Sequence, residues 1–116
     1  MSRKSLIHSY KFFDSQAVSA DATSSSTTVD QLDYCSIDFS WSASTLAATL
    51  YVQVKNGSKG NWRSLDFGST ISISGTSGSH EIQINSLPFT DLRLFVDHSS
   101  GSGTVNAVIT SKSMGA

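Results

Sequence analysis

The side chains that could bind a metal ion or act as general acids and bases are scattered along this sequence. Its three histidines, His8, His80 and His98, lie far apart, and none has the short spacing to another ligand that zinc sites show. The acidic residues near position 30 lack the glycine and the closely spaced carboxylates of a calcium loop. We therefore predict no metal ion and no cofactor.

Nucleophilic catalysis has no better support. No serine lies in a Gly-x-Ser-x-Gly turn, and the glycine-bearing stretch at residues 57–60 precedes a predicted strand, so it has no helix N-terminus to hold phosphate. Cys35 is the single cysteine, which excludes an internal disulfide, and its apolar neighbours at alternate positions favour a small buried side chain. We therefore predict that the protein is not an enzyme.

Aromatic side chains are the remaining candidates for binding. Tyr51 and Trp62 could stack on a sugar through their ring faces. The competing interpretation is packing in the core or in an interface, because large aromatic side chains are usually mostly buried. Phe95 lies on the face of its predicted strand opposite Leu92, so we expect it to be exposed, or covered by a partner or by the N-terminal segment.

Strands with a period of two must position these side chains. Residues 34–42 place a cysteine, an isoleucine and two aromatic residues on one face, with small or acidic polar residues on the other, and residues 50–55 alternate in the same way. Asn56-Gly57 then predicts a reversal of the chain, because both residues tolerate positive φ.

Turn residues between the alternating segments predict the connections. Three hairpins are expected, joining residues 34–42 to 50–55, residues 71–73 to 82–84, and residues 92–97 to 105–110. Pro88 cannot donate to a ladder and is predicted to mark an edge or a crossing between sheets.

Seven or eight short strands, with turns about every ten residues, are typical of an all-β antiparallel β-sandwich of jelly-roll-like type. The predicted core consists of Cys35, Ile37, Phe39, Trp41, Leu50, Val52, Val54, Ile82, Ile84, Leu92, Leu94, Val96, Val105 and Ile109.

Composition and charge bound the class of protein. A chain of 116 residues with 38% hydrophobic and 15% charged residues is long enough for one domain with a core. Its net charge of −1 gives no basic footprint, so we expect neither a nucleic-acid nor a membrane partner. The N-terminus lacks the apolar run of a signal peptide, and synthesis in the cytoplasm is expected.

The first 28 residues are predicted to form an N-terminal arm, and residues 29–116 the sandwich domain. The apolar side chains of the arm, which could add a strand to a neighbouring molecule, are Leu6, Ile7, Tyr10, Phe12 and Phe13. The polar residues 14–28 would serve as a tether. The alternative is an ordinary first strand of the same sandwich.

Four stretches of the sequence carry a resemblance to a known family. They are the strand, turn and Asn-Trp pattern at residues 52–62, the strand start at residues 32–37, the Pro-Phe and arginine strand at residues 87–94, and the closing hairpin at residues 99–109. These stretches resemble small β-sandwich structural proteins of tailed-phage virions. Together they span about residues 31–112. The sequence departs from the commoner form at Ser58 and Lys59, where an acidic residue often stands beside the turn glycine.

The resemblance implies a non-enzymatic part of the virion, such as a capsid decoration or minor capsid protein. Its expected partners are other capsid or virion proteins and further copies of itself, with Phe95 and the arm as assembly residues. The expected location is the virion, after synthesis in the host cytoplasm. The alternative function is a carbohydrate- or cell-surface-binding β-sandwich module, associated with a tail or fibre, that uses Tyr51 and Trp62.

Overall fold

The structure is a computed structural model that describes residues 7–29 and 32–112. Its strands are β1 (Ile7–Val18), β2 (Ala22–Thr23), β3 (Thr27–Thr28), β4 (Tyr34–Ser42), β5 (Ala47–Lys55), β6 (Arg63–Ser64), β7 (Ile71–Ile73), β8 (Gly78–Ile84), β9 (Asp91–Ser100) and β10 (Gly103–Lys112). The described residues contain no helix, and hence none that could cross a bilayer. The predicted all-β antiparallel fold is confirmed, with additional strands of only two residues.

Two antiparallel sheets pack face to face. The first sheet has the order β1-β10-β4-β8, and the second has the order β2-β9-β5-β6, with β3 also paired to β9 and β7 to β5. Along the chain, the long strands β1, β4, β5, β8, β9 and β10 are shared between the two sheets, and all of them except β5 pair only with strands that are distant in sequence. β5 also pairs with the nearby short strands β6 and β7. This is the double Greek-key arrangement of a jelly roll.

The three predicted hairpins are wrong, although the strands themselves are present. β4 belongs to the first sheet and β5 to the second, and the same holds for β8 and β7 and for β10 and β9. Alternation identifies the apolar face of a strand, but a turn between two such strands can either reverse within one sheet or cross the roughly 10 Å between sheets. The sequence alone did not distinguish these two cases.

At one end of the sandwich, two connections that cross between the sheets are hydrogen-bonded to each other. Thr45, between β4 and β5, donates its amide hydrogen to the carbonyl of Ser102, between β9 and β10, at 2.8 Å. Gly101 has φ of +76°, and a Cβ there would collide with the Thr45 carbonyl oxygen, so glycine is required for this contact. Pro88 lies between β8 and β9 and therefore in a crossing, one of the two places predicted for it.

Strand β1 is irregular, which explains its imperfect alternation in the sequence. Its pairing with β10 shifts by one residue after Lys11 and again after Phe13. The first bulge allows both Phe12 and Phe13 to be buried, with exposed fractions of 6% and 4%. At the second bulge Ser15 has φ of +47°, and its amide donates to Asn106 Oδ1 at 2.8 Å.

The core lies between the two sheets. Every predicted core residue is buried, which confirms that prediction. Further buried apolar residues are Phe12, Phe13, Val18, Val29, Leu32, Leu46, Ala48, Ile73, Leu87 and Ala107. At the centre Phe39 meets Phe13 and Trp41 with ring centroids 6.5 Å and 6.0 Å apart.

Residues 7–28 lie within the sandwich of their own chain. β1 pairs with β10 along its length, while β2 and β3 pair with β9. The strand pairing therefore does not divide the described chain at residue 28. This placement corresponds to the alternative that the sequence left open, an ordinary first strand.

Candidate functional site

The outer face of the second sheet brings together the aromatic residues that the sequence singled out. Tyr51 on β5 lies directly opposite Phe95 on β9, and their rings stack with centroids 6.2 Å apart and planes at 23°. Both side chains lie on the outer side of the sheet, because their neighbours Leu50, Val52, Leu94 and Val96 point into the core, and both are half-buried. One face of each ring is thus occupied by the other ring.

Trp62 lies on the same surface, beneath two cations. The guanidinium carbon of Arg93 is 4.2 Å from the centroid of the indole ring, and the Lys55 ammonium is 5.8 Å from it. Arg93 also donates from Nε to Gln53 Oε1, its cross-strand neighbour, at 2.8 Å. We call the surface formed by Tyr51, Gln53, Lys55, Trp62, Arg93 and Phe95 the aromatic face.

The predicted turn after β5 positions Trp62. Gly57 has φ of +69°, as expected for a reversal at Asn56-Gly57, and its amide donates to Thr90 Oγ1 at 2.7 Å. The Thr90 hydroxyl and amide both donate to the Lys55 carbonyl at 3.0 Å. Thr90 therefore ties this turn to the start of β9, which carries Arg93.

A groove of about 410 Å³ opens beside Tyr51, between β5 and residues 64–71. Phe67 lines it and is 39% exposed, the largest exposure of a bulky apolar side chain in the described chain. Phe67 lies beyond β6, which ends at Ser64. Gly68, with φ of +82°, is the local signal that the chain turns away there.

The predicted arm residues take other positions. Phe12 and Phe13, which the sequence suggested as assembly residues, are buried in the core of their own chain, and a role in assembly stays a prediction. Tyr10 is half-buried, packs edge-on against Phe12 and hydrogen-bonds the hydroxyl of Ser25. Leu6 and the side chain of Ile7 lie outside the described residues.

The side chains considered for catalysis or metal binding stay apart where the structure describes them, and the side chain of His8 lies outside that part. His80 Nε2 contacts the Ser72 carbonyl at 2.7 Å, and His98 Nε2 contacts the Gly101 carbonyl at 2.8 Å. In the part of the chain that the structure describes, no three potential ligands cluster around a point. Burial raises the pKa of the Cys35 thiol from 9.0 to about 11, against a smaller opposite effect of a backbone hydrogen bond with Ile84.

We expect Cys35 to react slowly with a thiol reagent in the native protein. A pKa raised from 9.0 to about 11 lowers the thiolate fraction at pH 8 about a hundredfold, and the side chain is only 3% exposed. The rate of reaction with Ellman's reagent, measured with and without 6 M urea as control, checks this. Equal rates in both conditions would contradict the buried position.

Comparison with known proteins gives matches in structure but not in sequence. No family model and no curated protein matches the chain. The crystal structure of the SPBc2 prophage-derived protein YomS aligns with a TM-score of 0.62 at 15% identity, covering 95% of this chain and 97% of the other.

Two structures from infectious bursal disease virus align over almost all of this chain. The Gx strain structure has a TM-score of 0.64 at 13% identity and 97% coverage of this chain, and the VP2 subviral particle has 0.61 at 14% and 98%. The chain spans about a third of the length of either viral chain, namely 33% and 34%. At these identities the likeness establishes a shared jelly-roll fold.

Proposed function

We propose that this chain is a structural protein of a virus particle, of the capsid decoration or minor capsid type, in a tailed phage. The observation that carries the proposal is the fold: one jelly roll accounts for nearly the whole chain and aligns with a prophage-derived protein from end to end and with a chain of a subviral particle. The resemblance in residues 31–112 to phage virion proteins points the same way. The proposed role is non-enzymatic.

The architecture suits a protein that works through repeated contacts. A two-layer sandwich offers two broad outer faces, and β1 and β8 form the open edges of the first sheet. Weak contacts at such surfaces become strong when many copies are held in a symmetric shell. The expected partners are other virion proteins and further copies of this chain.

A carbohydrate- or cell-surface-binding module is the second candidate. The groove beside Tyr51, with exposed Phe67 and neighbouring polar residues, is the observation that favours it. The arrangement of Trp62 is less favourable, because Arg93 and Lys55 already lie over its ring, and Phe95 lies against Tyr51. A sugar stacking on Trp62 through that face would have to displace Arg93.

Purified phage particles provide the test. On our proposal, quantitative mass spectrometry finds the chain in many copies per particle, particle maps show it at symmetric sites, and particles lacking it lose infectivity faster on heating. A glycan array with the purified chain is the control and should show no binding. Absence from particles would overturn the proposal, and glycan binding abolished by Tyr51→Ala would support the second candidate.

A further inference from the structure

The outer face of the first sheet carries two adjacent carboxylates, in the same cross-strand row as Lys11, which is paired with Asp14. Asp38 on β4 lies directly opposite Glu81 on β8, and both are exposed. Glu81 accepts hydrogen bonds from Ser36 Oγ and Gln83 Nε2, each at 3.2 Å, but among the described residues neither carboxylate has an ion pair. Like charges at directly opposed positions of a sheet destabilise it.

The aromatic face, on the other side of the sandwich, carries two cations, with Asp91 and Asp97 on the same side of β9. Lys55 and Arg93 both lie over the Trp62 ring, and neither forms a salt bridge within the described residues. Asp91 is directly opposite Lys55 in the register of β5 and β9, yet no ion pair joins them. Lys55 and Arg93 can therefore form ion pairs with carboxylates of another molecule while they remain over the Trp62 ring.

We propose that copies of this chain associate head to tail, with the aromatic face of one copy against the outer face of the first sheet of the next. In this contact Lys55 and Arg93 of one copy approach Asp38 and Glu81 of the next. The two cations and the two carboxylates then neutralise each other. The overall charge of −1 opposes such association only weakly. Because two different faces meet, the contact is heterologous and generates a ring or an open stack.

The size and composition of the two faces fit a protein–protein contact. Four strands about nine residues long give the first sheet a face of roughly 19 by 30 Å, or about 570 Å², somewhat below the 800 Å² per partner of a typical interface. Half-buried Val108 lies directly beside Asp38, and the Tyr51–Phe95 pair lies one step along the strands from Gln53 and Arg93. Each charge pair thus has apolar surface next to it.

This inference deepens the proposed function, on which its biological meaning rests, by naming the faces through which copies meet. It concerns the purified full-length chain alone. A monomeric chain that is abundant in particles would overturn the inference and leave the proposed function standing. Self-association of a chain that is absent from particles would support the inference and overturn the proposed function.

A charge exchange tests the contact. The double variant Asp38→Lys with Glu81→Lys makes both charge pairs positive, and Lys55→Glu with Arg93→Glu makes both negative. By analytical ultracentrifugation the wild-type chain should associate, less so in 1 M salt, and each variant alone should associate about tenfold more weakly or worse. A one-to-one mixture should regain association, because positive and negative faces then alternate.

Controls separate this contact from general effects of charge. Asp21→Lys with Asp66→Lys changes the net charge as much as the first variant does, but both residues lie in loops outside the two charge pairs, and this variant should associate like wild type. If Arg93→Glu disturbs folding, Lys55→Glu mixed with Asp38→Lys tests the same pairing. A monomeric wild type, variants that associate normally, or folded variants whose mixture does not recover would each overturn the proposal.

Discussion

Deletion of residues 1–28 is expected to yield a chain that does not fold. The deletion removes β1, which covers the whole length of β10, together with the buried side chains of Phe12, Phe13 and Val18. Burial of each such side chain contributes about 1.5–3 kcal/mol, so the three together supply about 5–9 kcal/mol. A domain of this size has a total stability of roughly 5–15 kcal/mol. Far-ultraviolet circular dichroism and a urea titration of the purified fragment measure the outcome.

A shorter deletion of residues 1–6 is the matched control, because it leaves every residue of β1 in place. We expect it to melt cooperatively. The contrary result would be a fragment without residues 1–28 that keeps a cooperative transition and loses only oligomerisation or particle binding. That outcome would support the assembly arm that the sequence suggested.

Replacement of Phe39 by alanine should produce the largest loss from a single substitution. Phe39 has no exposed surface, lies in the central part of β4, and packs against Phe13 and Trp41. Removal of a buried phenylalanine ring leaves a cavity and costs about 3–5 kcal/mol. The melting temperature should fall by roughly 10–20 °C, as measured by calorimetry or thermal circular dichroism.

Phe67→Ala deletes the same ring from the surface and controls for composition. Because Phe67 is 39% exposed at the edge of the groove, its loss should change the free energy of unfolding by less than about 1 kcal/mol. Similar losses for the two variants would mean that Phe39 is not at the centre of the core.

The positions of the buried side chains were predictable from sequence to a large extent. Alternation in residues 34–42 identified the face of β4 that carries Ile37 and Phe39, and the same rule identified Val52 and Leu94. It failed at β1, where two adjacent phenylalanines are both buried. A bulge changes the period of a strand by one residue, and neither Phe12 nor its neighbours signal it.

The candidate site was predictable only in part. Tyr51, Trp62 and Phe95 were recognised individually, but their proximity depends on β5 pairing with β9, more than 35 residues away in sequence. The same pairing places Arg93 beside Gln53 and over Trp62, and nothing local to Arg93 indicates an indole partner. Side chains separated this far along the chain meet only when the sheet is assembled.

The sequence by itself determined that the protein is built from strands, which face of most strands is buried, and where the chain turns, because these properties depend on the nature and spacing of neighbouring residues. The tertiary structure decided which strands pair, since a turn such as residues 43–46 can close a hairpin or cross between sheets with the same residues. The choice depends on burying both apolar faces against each other, and the Thr45–Ser102 contact between distant crossings is formed only in the assembled jelly roll.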